Sequence, residues 1–422
     1  MLGRSFFFKS HWIAGMVLAL AAGSVAAVPN YVLRALIPVP SSQDNSVGGR
    51  FATYDISFFD PTTQLYYVAD RSNAAVDIFS AVTNSYVGRI GGSGQLFSGQ
   101  QASNDTSGPD GVQVINLPGQ HQVYAGNGNS TLLGFSIPTP PTNIPGYTSL
   151  PGTPLATGTP ADNRVDEMSF DPNNKYLLVA NNAAAIPFTT LINTTTNTIV
   201  AKTVFDGTLG TPNATNGIEA SDYDPITNKF YLSIPQIGGS GPGGVAQIDP
   251  TTGAVTHVYD FSALSGGAIT VCGPTGLVVS NAGKVFVGCG DPSQTLVLDP
   301  TANGGNGKID KSITQASGED QIWYDPTTDR VFLAARNNPG GPVLGILDAA
   351  TESWLENLAT TPNDHSVAVD PISGEVFVPF GGVAGNAVCP NGCIAVFAVP
   401  EPATLALLGV GLAGLGFSRR KQ

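Results

Sequence analysis

Short apolar runs, rich in Val, Phe, Tyr and Leu, alternate along this chain with clusters of Gly, Pro, Asn, Asp and Thr. That rhythm predicts β-strands joined by tight turns, with few helices. One unit recurs: an apolar residue, Asp-Pro, a polar pair and a strand. It reads Phe59-Asp60-Pro61-Thr62-Thr63, Phe170-Asp171-Pro172-Asn173-Asn174, Tyr223-Asp224-Pro225-Ile226-Thr227, Tyr324-Asp325-Pro326-Thr327-Thr328 and Val369-Asp370-Pro371-Ile372-Ser373. Degenerate copies fit at Asn116-Leu117-Pro118-Gly119 and Ser280-Asn281-Ala282-Gly283. The Asp carboxylate caps a turn, Pro presets the next φ, and the following polar residues complete the reversal.

Strands follow each turn, as at Leu65-Tyr66-Tyr67-Val68, Tyr176-Leu177-Leu178-Val179 and Val331-Phe332-Leu333. A third strand ends in a further turn (Ala246 to Gly253) and a fourth runs from Val255 to Tyr259. From Asp60 to Asp370 the turns repeat about every 52 residues, slightly long for a propeller blade, with loop insertions making up the rest. A four-stranded sheet with two apolar faces cannot bury both alone, so neighbouring units must stack, and a ring leaves only short edges exposed. The fold expected is all-β: a seven-bladed β-propeller of four-stranded antiparallel blades over residues 28–398. The last unit stops at Ile394-Ala395-Val396-Phe397, one strand short, while Tyr31 to Ile37 is a spare strand before the first unit. Pairing the two would close the ring; a β-solenoid or two separate β domains would leave the spare strand without a use. Pro138 to Pro160 reads as a Pro/Thr-rich surface insertion in the second unit.

Composition sharpens this picture. Charged residues are 12% of the 422, about half the usual share, whereas Gly (51) and Pro (32) are abundant, which excludes coiled coils, helical bundles and charge-rich disorder. The formal charge is −13, and a body this acidic repels phosphate backbones, so nucleic acid is not an expected partner.

The two ends read as addresses. Residues 1–27 form a signal peptide, with Arg4 and Lys9, an apolar run from Ile13 to Ala22, and small residues Val25-Ala26-Ala27 before the cleavage point. Residues 399–422 place Pro400-Glu401-Pro402 before an uncharged stretch from Ala403 to Phe417 and then Arg419-Arg420-Lys421. That order predicts a short hydrophobic helix, a transient transmembrane segment whose basic end stays cytoplasmic. It resembles the PEP-CTERM sorting tail of Gram-negative bacteria. The resemblance implies recognition by an exosortase-type protease, cleavage near the motif, and a product at the cell surface or outside the cell. Cys272, Cys289, Cys389 and Cys393 then lie where disulfides are permitted. Three pairings are possible, and the expected one is Cys272–Cys289 across neighbouring strands with Cys389–Cys393 closing a short turn.

The runs Tyr66-Tyr67-Val68-Ala69-Asp70 and Tyr176 to Asn181 resemble YVTN-type surface-layer propeller repeats, with Asp-Pro in place of the usual Asp-Gly in many copies. Such families include surface-layer proteins and sugar-lactone hydrolases, so the resemblance implies a fold more than an activity.

Candidate chemistry follows from the repeat. Five residues before each turn Asp, with one residue of slack, stand Asp55, Asp110, Asp166, Glu219, Thr275, Asp320 and His365, with Glu167, Glu319 and Asp364 beside them. In a propeller these positions converge at one mouth of the central channel. Carboxylates packed so closely repel unless they bind a cation, such as Ca²⁺, share protons, or accept hydrogen bonds from the adjacent blade. Loops after the second strands, carrying Asp70, Arg71, Asn127, Asn181, Asn182, Asp291, Arg336 and Asn337, should emerge on the same face and offer hydrogen bonds to a polysaccharide or protein. No catalytic triad or histidine pair with metal spacing is present, and the Gly-rich runs lack a nucleophile elbow. The leading expectation is a non-enzymatic surface or matrix interaction module. The alternative is a secreted lactonase-like hydrolase whose Asp55, Asp166, Glu219 and Asp320 hold a divalent cation.

Overall fold

The computed structural model describes residues 30–137, 146–291 and 294–400. The expected signal peptide 1–27, the motif residues Glu401 and Pro402, the apolar stretch 403–417 and the pair Arg419-Arg420 lie outside the described residues. Among those described, no helix is long and apolar enough to cross a membrane.

Seven antiparallel sheets follow one another around an axis. Their innermost strands are Ser57–Asp60, Val112–Leu117, Met168–Asp171, Ser221–Asp224, Pro274–Val279, Ile322–Asp325 and Ala368–Val369, which define blades 1 to 7. In blade 1 the strands Ser57–Asp60, Leu65–Asp70, Ala75–Ser80 and Ser85–Gly91 pair in sequence order, and every other blade repeats that meander in its first three strands.

The Asp-Pro turns share one geometry. Asp171 accepts from the Asn173 N–H at 2.8 Å and Asp224 from the Ile226 N–H at 2.9 Å, while Thr227 Oγ1, Thr328 Oγ1 and Ser373 Oγ donate to Asp224, Asp325 and Asp370 at 2.5–2.7 Å. Four residues after the Asp the chain enters the left-handed region, at Gln64, Lys175, Asn228, Asp329 and Gly374. Only one of these is glycine, so the side-chain-capped turn holds an ordinary residue at positive φ.

Strand alternation explains why the blades stack. Leu65 and Tyr67 face blade 2, packing with Val112, Val123 and Phe135, whereas Tyr66 and Val68 face blade 7, packing with Phe377, Ile394 and Val396. The buried apolar side chains described form seven clusters, one between each pair of neighbouring blades. No blade owns a core of its own.

Blade 7 takes its outermost strand from the other end of the chain. Val32–Pro38 pairs antiparallel with Cys393–Ala398, matching Val32 with Ala398 and Ile37 with Ile394, with a bulge between Leu33 and Ala35. Tyr31 strengthens the junction: its N–H donates to Glu356 Oε1 at 3.1 Å and its hydroxyl accepts from Arg330 at 3.0 Å. Blade 2 departs from the four-strand plan. Its edge is split into Thr148–Ser149 and Leu155–Ala156, both pairing with Thr131–Ser136. Pro151 and Pro154 lie between and carry no N–H for a continuous ladder. Part of the expected insertion therefore serves as a blade edge. Cys272 and Cys289 are bonded (S–S 2.01 Å) at the start of blade 5, and Cys389 and Cys393 (1.95 Å) before the last strand of blade 7.

Ile37, 3% exposed, seats the closing strand in the cluster between blades 7 and 1, whereas Leu36 beside it is 39% exposed. Ile37→Ala should cost about 2–5 kcal/mol, read by denaturant unfolding, while Leu36→Ala should cost under about 1 kcal/mol. Equal losses would contradict a buried, ring-closing strand.

Candidate functional site: an ion-paired axial mouth

Antiparallel pairing puts the start of each inner strand beside the end of the next strand, at one end of the ring. The acidic entry positions and the loops after the second strands therefore meet. Asp55, which enters blade 1, accepts from the Arg71 guanidinium and from Arg164 Nη1 at 3.4 Å. Arg71 Nε also donates to Asp110 Oδ1 at 2.7 Å, joining blades 1 and 2. Arg164 Nη2 reaches Asp166 at 2.9 Å, and Asn182 Nδ2 bridges Asp166 (2.6 Å) and Glu219 (3.4 Å) across blades 3 and 4. Arg336 holds Asp320 at 2.9 Å.

His365 completes the circle. Its Nε2 lies 3.6 Å from Asp55 and 3.2 Å from the Tyr54 carbonyl, its Nδ1 faces the Asn363 carbonyl at 2.6 Å, and its ring stacks on Tyr54 with centroids 4.6 Å apart. Thr275 stands apart in role, since its hydroxyl donates to the Glu319 carbonyl at 2.8 Å. Of the flanking acids, Glu319 ties blade 6 to blade 5 by accepting from the Cys289 N–H at 3.1 Å and from Thr295, and Asp364 accepts from Thr361. Of the loop residues, Arg71, Asn182 and Arg336 join the mouth. Asn127 and Asn181 instead support neighbouring turns, and Asp70 is bound to Asn73.

Arg164 is the side chain that the repeat did not single out. It lies outside the periodic positions, two residues before Asp166, in the segment leading out of blade 2's irregular edge. In a body with few cations, an arginine so near an entry carboxylate was the available signal.

Burial dominates the electrostatics. It would raise the Asp55 carboxyl, but Arg71, the His365 hydrogen bond and Arg164 reverse this and hold it well below the ordinary carboxylate range. Burial carries Asp110 well above that range in spite of Arg71, and pushes Asp166 up to about 7. Glu219 rises to about 8, through burial and then the charge of Asp166. One oxygen of Asp110 and one of Asp166 have no hydrogen-bond partner among the described residues, as suits carboxyls that keep a proton.

Positive charge at this mouth is supplied by the protein itself. Three guanidiniums stand between the carboxylates proposed as metal donors, and no group of three or more His, Cys, Asp or Glu among the described residues is arranged to hold a metal ion. The donor set does not fit a Ca²⁺ site: a divalent cation needs several free oxygens on one centre, and three of the four proposed donors, Asp55, Asp166 and Asp320, are each paired with an arginine. Asp299 and Asp310, which flank the oxygen-rich turn between the last two strands of blade 5, are likewise both paired to Lys284.

Because Asp166 and Glu219 hold protons more tightly folded than unfolded, their stabilising contribution is complete below about pH 4. It is lost as pH rises through about 7 and 8. The melting temperature should therefore fall by roughly 3 °C or more between pH 5.5 and pH 9, and Asp166→Asn with Glu219→Gln should flatten the profile. A melting temperature that rises over that interval would contradict the assignment.

No curated protein matches the chain in sequence. Among solved structures it is similar to hydrazine synthase of Kuenenia stuttgartiensis, with TM-score 0.60, 12% identity, and coverage of 83% of this chain and 97% of that one. It is also similar to streptogramin B lyase, with TM-score 0.57, 10% identity, and coverage of 88% and 98%. Likenesses this distant establish the fold alone. Residues 398–421 match the PEP-CTERM protein-sorting motif, which implies export and exosortase-dependent sorting at the membrane of a Gram-negative bacterium. The chain is thus an exported seven-bladed β-propeller that carries a PEP-CTERM protein-sorting motif at its C-terminus.

Proposed function

We propose that the protein is a non-enzymatic binding module of the cell surface or extracellular matrix. The N-terminal segment 1–27 directs export, the C-terminal segment holds the chain in the inner membrane, and an exosortase-type protease acts at Pro400-Glu401-Pro402. The propeller then holds a polysaccharide or protein ligand. The observation that carries this reading is the pairing of the mouth. Asp55, Asp166 and Asp320, which a lactonase-like hydrolase would need as free metal donors, are bonded to Arg71, Arg164 and Arg336.

A general base needs a lone pair within reach of a reacting proton. Of the described histidines, His365 is held as above, His121 sits with Asn116 and Asp60, and His257 lies away from the mouth in the outermost strand of blade 4. What the mouth offers outward is a rim of half-exposed polar groups, Glu219, Asp320 and Arg336, suited to hydrogen-bonding sugar hydroxyls or peptide groups.

Two arms of one experiment test this. Deleting Pro400 to Pro402 should leave full-length protein in the inner membrane, and unchanged release would reject the sorting step. Released propeller, labelled and added to cells that lack it, should bind saturably, with Arg336→Ala weakening binding about tenfold. Non-saturable uptake, or full binding by the variant, would reject the mouth as the binding face.

A further inference from the structure

Behind the paired mouth the channel opens into a cavity of about 530 Å³, within the usual size of small-molecule sites. It is bounded by the inner strands of blades 1 to 6, and Pro172, Pro225 and Pro326 of the Asp-Pro turns stand at its rim. It therefore opens on the face opposite the mouth, and the ion-paired lattice closes its deep end. Phe58, Phe170, Tyr223, Trp323 and Tyr324 give its outer part an aromatic collar, with Phe58 and Trp323 in edge contact at 5.3 Å.

The polar groups on its wall are satisfied, with one exception. Gln321 bridges blade 6 to blades 7 and 1, its amide donating to the Ser57 carbonyl at 2.7 Å and accepting from the Val367 N–H at 3.1 Å. Ser169 and Ser221 bond to each other at 2.7 Å, and Asp222 accepts from the Val279 and Tyr223 N–H groups at 2.8 Å. Glu167 is the exception. It is 6% exposed, lines the cavity, and its carboxyl has no hydrogen-bond or ion-pair partner among the described residues. Its oxygens face the cavity, where water or a guest, and no protein group, can satisfy them.

We infer that this cavity binds an organic cation with an aromatic or apolar body, its ammonium received by Glu167 and its body by the aromatic collar. Glu167 decides for a cation over an anionic guest, because an ionised carboxylate pairs with an ammonium and repels an anion. Burial, then the charges of Asp166, Glu219, Asp320 and Asp55, raise the Glu167 carboxyl well above its ordinary range. Asp222, the other carboxyl on the wall, is pushed up to about 6 by burial. An incoming ammonium gives Glu167 a counter-charge and lets it ionise. The collar adds ring faces that favour a cation and an apolar body alike. A chain of net charge −13 also concentrates cations at its openings.

This deepens the binding-module reading and rests on it, but it uses the opposite face. Calorimetry with the exported protein compares tryptammonium with its neutral counterpart tryptophol, which keeps the body and replaces the ammonium by a hydroxyl. Tryptammonium should bind at least about tenfold more tightly than tryptophol, and Glu167→Gln should erase that preference while leaving the melting temperature unchanged or higher. Equal binding of the two probes, an undiminished preference in Glu167→Gln, or no binding of either would each overturn the inference. The comparison of probes in the unaltered protein stands even where the variant folds poorly. If neither probe binds while the released propeller still binds cells saturably, the cavity site fails and the binding-module reading survives. If saturable cell binding also fails, both fall.

Discussion

A four-stranded sheet whose faces are both apolar has no stable existence alone, and that constraint organises this molecule. Tyr66 and Tyr67, adjacent in one strand, are each fully buried, one against blade 7 and the other against blade 2. Each blade is thus half of two interfaces, and the ring is complete only when blade 7 meets blade 1. The chain reaches blade 7 with three strands, so the strand Val32–Pro38 must supply the fourth. Backbone pairing between the two ends of the body thereby converts a row of sheets into a closed ring.

Closure has a consequence at the axis. It draws the entry of every inner strand into a small volume, and six of those entries carry an acid or a histidine. Such a crowd is tolerable only with compensation, and three arginines provide it; Arg71 also joins blade 1 to blade 2, and Arg164 joins Asp166 of blade 3 to Asp55 of blade 1. Removing one partner from a pair buried as deeply as Arg71 and Asp55 leaves an unpaired charge, a loss of order 3–5 kcal/mol. The compensation is incomplete, with six carboxyls against three guanidiniums, and the remainder is met by retained protons and, at Glu167, by an unfilled contact. The two ends of the channel differ accordingly: one is knotted by ion pairs, the other is an aromatic funnel.

Much of this was legible in the residues. The Asp-Pro spacing located five of the seven inner strands, the spare strand at Tyr31 to Ile37 announced the closure, and stepping back from each turn Asp gave the convergent acids. These are local or periodic features, which a linear reading captures. What escaped it depends on distant partners: Arg164 lies 109 residues from Asp55, and Gln321 lies 264 from Ser57. A repeat reports where its own members converge but not which irregular side chain fills the space among them, so the arginine that lies among the acids could not be named from it. The split edge of blade 2 escaped for a similar reason, because a proline-rich insertion shows no strand period even where a few of its residues pair. The funnel is a void, defined by what the inner strands leave unfilled, and no motif marks it.

Native-state amide hydrogen exchange of those amides of residues 33–37 that donate to the last strand, compared with residues 66–68 in the buried second strand of blade 1, tests the closure most directly. If the ring stands or falls as a unit, both sets should exchange only through global unfolding, with matching free energies and matching denaturant dependence. Fast exchange of those paired edge amides through local fraying, with residues 66–68 still fully protected, would show that the propeller is stable without its borrowed strand and would contradict the account.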